Sequence, residues 1–302
     1  MECISAMKML KKVSLCSRIT DDEPCIHHSA APSVEELDIV FEAARHPVSS
    51  TRAQWLMDKI MTGLFRMFVG LRTLKYEGRY STRELTPDWN QIFGALFHQK
   101  TTYSLSHGPV AALESIEFNG MFRDNGIAAL QSLQKHVHER YCDLKHFAME
   151  IGTWYEVKTL REEYDDLGYN AFVKESLIPF MESADGTLES MRFEYGKLLS
   201  RTNCGDILST DLLLLSSLPK SLLSMELSPR TPCIRDFSDI GSKSFVNVLC
   251  ALLVNKESHN LQQLILKRIK LSVEARNYLV FMFGYNNHLA VSNQNHCFFF
   301  KK

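Results

Sequence analysis

The stretch L-E-S-I-E-F-N-G-M-F-R-D-N-G-I-A-A-L-Q-S-L, residues 113 to 133, decides how the chain is read. Leu113, Ile116 and Phe118 stand at offsets 0, 3 and 5, and an Asp-Asn-Gly turn follows before apolar residues resume at helical spacing. Offsets 3 and 5 share one face of an extended strand, since side chains alternate with a period of two. The stretch therefore reads as strand, turn and helix.

The strand half recurs. Leu71, Leu74, Tyr76; Leu144, Phe147, Met149; Leu188, Met191, Phe193; Leu222, Met225, Leu227; and Leu261, Leu264, Leu266 repeat the same offsets, each copy opening on Leu. Offsets 2, 4 and 6 are mostly polar, so each strand is expected to have one buried and one wet face. Helical stripes lie between the strands: Trp89, Ile92, Phe93, Leu96, Phe97; Ile127, Leu130, Leu133, Val137; Tyr169, Phe172, Val173, Phe180; and Phe245, Val248, Leu249, Leu252. The run Leu212 to Leu215 fits a buried helix or an extra strand. Asp124-Asn125-Gly126, Asp166-Leu167-Gly168 and Asp239-Ile240-Gly241 are expected to open three of the helices, Asp capping free amides and Gly allowing a tight turn.

Successive strand leucines are 42, 31, 44, 34 and 39 residues apart. Each gap is long enough for the crossover that a parallel neighbour requires. With L-x-x-[LIFM]-x-[LFMY], the D-x-G turn and the helical leucines, the chain resembles leucine-rich-repeat proteins of the ribonuclease-inhibitor-like class over residues 51 to 284. Only Asn119 fills the position where that family often has Asn or Cys; Glu77, Glu150, Glu194, Ser228 and Lys267 replace it elsewhere, and the periods are long and uneven. The resemblance implies an α/β solenoid, with a curved parallel sheet on the concave side, helices on the convex side and about six irregular units.

At the ends, residues 1 to 31 read as a poorly ordered segment and residues 32 to 69 as a helical cap, leaving 70 to 302 for the array. The cap's first helix is expected to start at Ser33, where Ser33-Val34-Glu35-Glu36 fits a capping box and Leu37, Val40 and Phe41 form a stripe. Its second starts at Ser50 or Thr51 and carries Trp55, Leu56, Ile60, Leu64, Met67 and Phe68. Phe298 to Phe300 read as a last strand or as packing under the final helix.

Composition narrows the function. The 302 residues are 45% hydrophobic and 23% charged with a formal net charge of -1, which gives no general attraction to nucleic acid or anionic lipid. The short basic piece around Lys267, Arg268 and Lys270 does not outweigh that balance, so nucleic acid is not expected as a partner. Eight scattered cysteines without a C-x-x-C pair read as free thiols of a reducing compartment. With no secretory h-region and no apolar run of membrane length, the expected address is the cytoplasm, with the nucleus as the alternative and an organelle presequence, suggested by Lys8, Lys11, Lys12 and Arg18, as a weaker one. No membrane partner is expected.

No P-loop, G-x-G-x-x-G, G-x-S-x-G or H-E-x-x-H motif occurs, so the chain is read as no enzyme, with no cofactor. His138, Cys142 and His146, with His136 nearby, have metal-like spacing. They are read as a loop thiol and surface imidazoles, because a strand beginning at Leu144 turns His146 to the wet face, away from His138. The acid pairs Glu162-Glu163 and Asp165-Asp166 are read as solvated loop charge.

The function expected is a protein-binding scaffold using the concave sheet face. Its candidate contact residues are Lys75, Glu77, Glu117, Asn119, His146, Glu150, Arg192, Glu194, Glu226 and Lys267. The row of carboxylates favours a basic protein partner. Two alternatives stand beside it: an α/β hydrolase or transferase with an unrecognised site, and a repeat-type GTPase regulator for which Arg192 is the candidate arginine.

Overall fold

A computed structural model describes residues 10–19, 30–43, 50–79, 87–121, 123–151, 170–195, 210, 213–229, 235–236, 260–267, 269–270, 273–274, 277, 281, 289–292 and 297–301. The chain divides into two compact units, Met1–Tyr155 and Glu156–Lys302. Both are α/β.

The first unit holds strands β1 (Lys12–Ile19), β2 (Glu36–Ala43), β3 (Thr73–Arg79), β4 (Leu113–Met121) and β5 (Cys142–Ile151), and helices α1 (Ser50–Met67), α2 (Trp89–His107) and α3 (Arg123–His136). The strands lie side by side in chain order, all parallel. Leu37, Leu74, Ile116 and Phe147 are in register, as are Ile39, Tyr76, Phe118 and Met149. Every one of these side chains is buried, whereas their neighbours at offsets 2, 4 and 6 are half-buried or exposed.

The second unit repeats the scheme. A π-helical turn, Val173–Leu177, runs into α4 (Ile178–Ser183), and β6 (Ser190–Tyr195), β7 (Ser224–Pro229) and β9 (Gln263–Leu266) are parallel neighbours. Met191, Met225 and Leu264 share one register row and Phe193, Leu227 and Leu266 the next. β11 (Leu289–Ser292) and β12 (Cys297–Lys301) form an antiparallel pair that joins β9 through β12, so the terminal phenylalanine run is a strand. β8 (Arg235–Asp236) pairs with β10 (Ile269–Lys270) apart from that sheet.

One backbone device recurs at the strand starts. The carbonyl of Lys11 accepts from the amides of Glu35 and Glu36, at 2.8 and 3.0 Å, and that of Glu35 from Arg72 and Thr73, at 2.8 and 2.9 Å. The Arg72 carbonyl does the same for Glu114 and Ser115, that of Glu189 for Leu223 and Ser224, and that of Leu223 for Gln262 and Gln263. In repeat terms, the offset 1 carbonyl of one strand holds the offset 1 and 2 amides of the next. The offset 0 residue beside this clamp is inside the core at Val34, Leu71, Leu113, Leu188 and Leu222, which are fully buried, and nearly so at Leu261, while Leu10 at the sheet edge is half-buried. Burying one such side chain is worth about 1.5–3 kcal/mol.

The structure corrects the expected N-terminal cap. Residues 36 to 43 form β2, not a helix, and Lys12–Ile19 is a strand within the segment expected to be poorly ordered. Leu37, Val40 and Phe41 suggest a helical stripe, yet Leu37, Ile39 and Phe41 are the buried set, with a period of two, while Asp38, Val40 and Glu42 are half-buried. α1 forms as expected, but Trp55 leaves the apolar stripe: it is half exposed, with Lys59 Nζ 4.8 Å from its ring centroid.

α2 buries Trp89, Ile92, Phe93, Leu96 and Phe97, the expected stripe. Asp88 caps it, accepting from the Gln91 amide at 3.0 Å, and Asp58 of α1 accepts from the Asp88 amide at 2.9 Å. Burial raises the Asp58 pKa. Trp89 meets Tyr76 and Phe118 edge-on, each at 4.9 Å, and joins helix to sheet. Lys100, on the same buried side, has its ammonium on the carbonyls of Val69, Leu71 and Ala111 at 2.9, 2.8 and 2.7 Å.

α3 starts at Arg123, so Asp124-Asn125-Gly126 lies in its first turn, with Asn125 and Gly126 buried, instead of preceding the helix. Leu130, Leu133 and Val137 are buried as expected, and Ile127 is half-buried. Phe172, Val173 and Phe180 are buried, and Leu213 to Ser216 are helical with Leu214 and Leu215 inside. The expected turns at 166–168 and 239–241, the stripe at 245–252, Tyr169, Leu212 and the acids at 162–166 lie outside the described residues.

Candidate functional site

Because offsets 3 and 5 are turned to the core, offsets 2, 4 and 6 build a polar sheet face in each unit. In the first unit, one row runs Ser14, Asp38, Lys75, Glu117, Ala148. A second brings Glu77 beside Asn119, and a third ends Thr73, Ser115, His146 with His146 exposed. Lys75 Nζ lies 3.2 Å from Glu117 Oε2, and Asn119 Nδ2 donates to Glu117 Oε1 at 3.1 Å. Glu150 is half-buried on β5.

In the second unit, Arg192, Glu226 and Ile265 share a row, and Glu194 faces Ser228, which is buried. Lys267 reaches from beyond the end of β9 to pair with Glu226 Oε1. Arg192 is exposed and Glu194 half-buried.

At Glu117 and Glu226, two of the five acids in the expected row, the carboxylate is paired with a lysine expected between them. Glu117 and Glu226 are the more buried partners of their pairs, at 22% and 19% side-chain exposure against 46% for Lys75 and 39% for Lys267. The cations lie over the acids, so these carboxylates present no bare negative row to a partner. Such pairs are worth about 0–1 kcal/mol each at a surface and define a mosaic of both signs.

Sequence reasoning missed part of the face. β1 and β2 add Lys12, Glu36 and Asp38, with Lys12 and Glu36 at 3.3 Å, and just before these strands Lys11 is hydrogen-bonded to Glu35. That bond, with help from Arg72, holds the Glu35 carboxyl below its ordinary pKa. The signal was present: Leu10, Val13, Leu15 and Val34, Leu37, Ile39 keep offsets 0, 3 and 5, the first set with Val at offset 3 and the second with Val at offset 0.

The metal-like cluster does not assemble. Cys142 is buried and its thiol pushed up to about 12 by burial, while His138 and His146 are exposed. His136 is half-buried against Phe97, with ring centroids 5.3 Å apart, and burial lowers its pKa. No group of three His, Cys, Asp or Glu that could hold a metal ion occurs among the described residues. Nor is any helix among them long and apolar enough to cross a membrane. No protein-family model matches the chain, and neither curated proteins nor solved structures give a match.

Proposed function

We propose that the chain is a non-enzymatic, protein-binding scaffold of leucine-rich-repeat type that holds its partner on the polar sheet face. The observation that carries this reading is the alternation itself: strand after strand, in register, buries offsets 3 and 5 and turns offsets 2, 4 and 6 the other way. An array of polar side chains at fixed backbone positions is a ready recognition surface, since the backbone that carries it need not be ordered on binding. The groups whose pKa values are most displaced, Lys100 and Cys142, are in the core and not on this face, which favours recognition over acid–base chemistry there. The alternating pairs favour a protein partner of mixed charge over a polybasic one. An exposed free thiol at Cys16 suits a reducing compartment such as the cytoplasm.

The test is site-specific photo-crosslinking in cells of origin. A benzophenone side chain at Lys75 or His146 is expected to trap one common partner, whereas the same group at Thr102 or Gln134 on the helices of that unit traps none. Equal trapping from the helices removes the reading.

A further inference from the structure

The polar side of the first unit is ordered by charge. β1 and the residue before it bring Lys12 and Lys11, β2 and the residue before it Glu36, Asp38 and Glu35, β3 and the residue before it Lys75 and Arg72, and β4 brings Glu114 and Glu117. Glu77 on β3 is the departure from this order. Interior charges are bracketed: Glu35 is held by Lys11 on one side and Arg72 on the other, Arg72 also pairs with Glu114 at 3.7 Å, and Lys75 stands in register between Asp38 and Glu117.

β1 ends the strand order, pairing only with β2 among the described residues. Lys11 and Lys12, at 66% and 53% side-chain exposure, are each paired with one acid, on the β2 side. In a parallel ladder successive residues address opposite neighbours. The Lys11 carbonyl is bonded from β2, so the peptide groups of Lys12, Ser14 and Cys16 face the other edge. The amides of Lys11 and Lys12 stand where Glu35 and Glu36, or Arg72 and Thr73, each grip a carbonyl of the strand before them.

We propose that the outer edge of β1 takes up an extended acidic segment of a partner protein as one more parallel strand, its carboxylates seated against Lys11 and Lys12. This surface is the outward backbone edge of β1, beside the polar face with which it shares Lys11 and Lys12, and the backbone pairing does not depend on the function assigned to that face. The repeated clamp sets the direction, because a parallel newcomer places its offset 1 carbonyl on the two lysine amides. Charge selects the occupant: the sequence of β1 holds Lys12 and Arg18 and no acid, so a second copy of β1 would bring like charges together. Lysines on an edge strand also deter indiscriminate pairing. A purely protective edge, however, binds neither of the two probes below.

The probe is a fluorescein-labelled peptide of residues 33 to 43, S-V-E-E-L-D-I-V-F-E-A, which already has the register and acids that β1 recognises in β2. Titrated with the full chain, it is expected to give saturable anisotropy, and a peptide with Glu35 and Glu36 replaced by Lys is expected to bind at least ~10-fold more weakly, given about 1.4 kcal/mol per tenfold change. The Lys11→Glu, Lys12→Glu chain is expected to invert that preference. Ser14→Pro removes an outward amide without touching the β1–β2 ladder, so it is expected to keep the far-UV spectrum and melting temperature yet lose the peptide. It decides the matter even where the charge reversal fails to fold. The proposal is overturned by no saturable binding to the folded chain, by equal binding of both peptides, or by undiminished binding to Ser14→Pro. A dimer in sedimentation equilibrium that Ser14→Pro dissociates would overturn it too, giving the edge to a second copy.

Discussion

Lys100 Nζ donates to the carbonyl of Leu71 at 2.8 Å, so a lysine of α2 holds the residue two positions before β3. The carbonyls of Val69 and Ala111 complete the set and tie the same ammonium to the approaches of both β3 and β4. Three acceptors match the three N–H groups of an ammonium, and a methionine of similar length satisfies none of them. Lys100→Met is expected to lower unfolding free energy by about 2–4 kcal/mol, read from urea denaturation, because buried carbonyls lose their donors. An unchanged midpoint would show that water replaces the amine.

Burial works against the same ammonium and lowers its pKa to about 7, from 10.5. Between these values the unfolded chain binds a proton that the folded chain lacks, so this group makes stability rise with pH from about 7 towards 10.5. Below pH 7 both states are protonated and the full desolvation cost is felt. Lys100→Met should flatten that part of the profile, and the gap between wild type and variant should widen from pH 7 to pH 9.5. A constant gap would place the folded-state pKa near its ordinary value.

Gly120 has φ +65°, and a Cβ there would lie 2.7 Å from the Gly78 carbonyl oxygen. Gly94, inside α2, would place a Cβ with nothing within 4 Å. Gly120→Ala is expected to cost about 2–3 kcal/mol, combining left-handed backbone strain with a backbone clash. Gly94→Ala is expected to gain about 0.5–1 kcal/mol from helix propensity. Thermal denaturation of the two variants should therefore shift in opposite directions.

Lys75→Glu would set a third acid in one row, between Asp38 and Glu117, and is expected to cost about 1 kcal/mol at low salt. Adding Glu117→Lys should recover part of that loss, with a coupling of about 0.5–1 kcal/mol in a double-mutant cycle that shrinks in 1 M salt. Zero coupling would mean that the pair is only apparent.

How far the sequence could be read follows from these residues. The six Leu-started strands were visible because burial on one face and solvent on the other write a period of two into the sequence, and Trp89 to Phe97 showed α2 for the corresponding helical reason. β1 and β2 were hidden by valine. Val13 takes offset 3 of the first and Val34 offset 0 of the second, and both are buried although the repeating pattern has other residues at those positions. Val40 beside Phe41 then suggested a helix, since a half-buried apolar residue on the polar face blurs the alternation. The alternation of polar and apolar positions was legible, but the pairing of charges was not. Register across strands decides which acid meets which cation, as Lys75 meets Glu117, and no single strand carries that information.

The clamp at each strand start has a consequence for how the molecule can change. Two amides of each such strand grip one carbonyl of its predecessor, so its alignment is fixed at its first residues. The connecting segment can then be lengthened or rewritten with little effect on the ladder, which is how crossovers as unequal as those from Leu10 to Val34 and from Leu71 to Leu113 serve one repeating scheme. Variation is thus steered into the connections, where new surface can be tried while the scaffold stays in step.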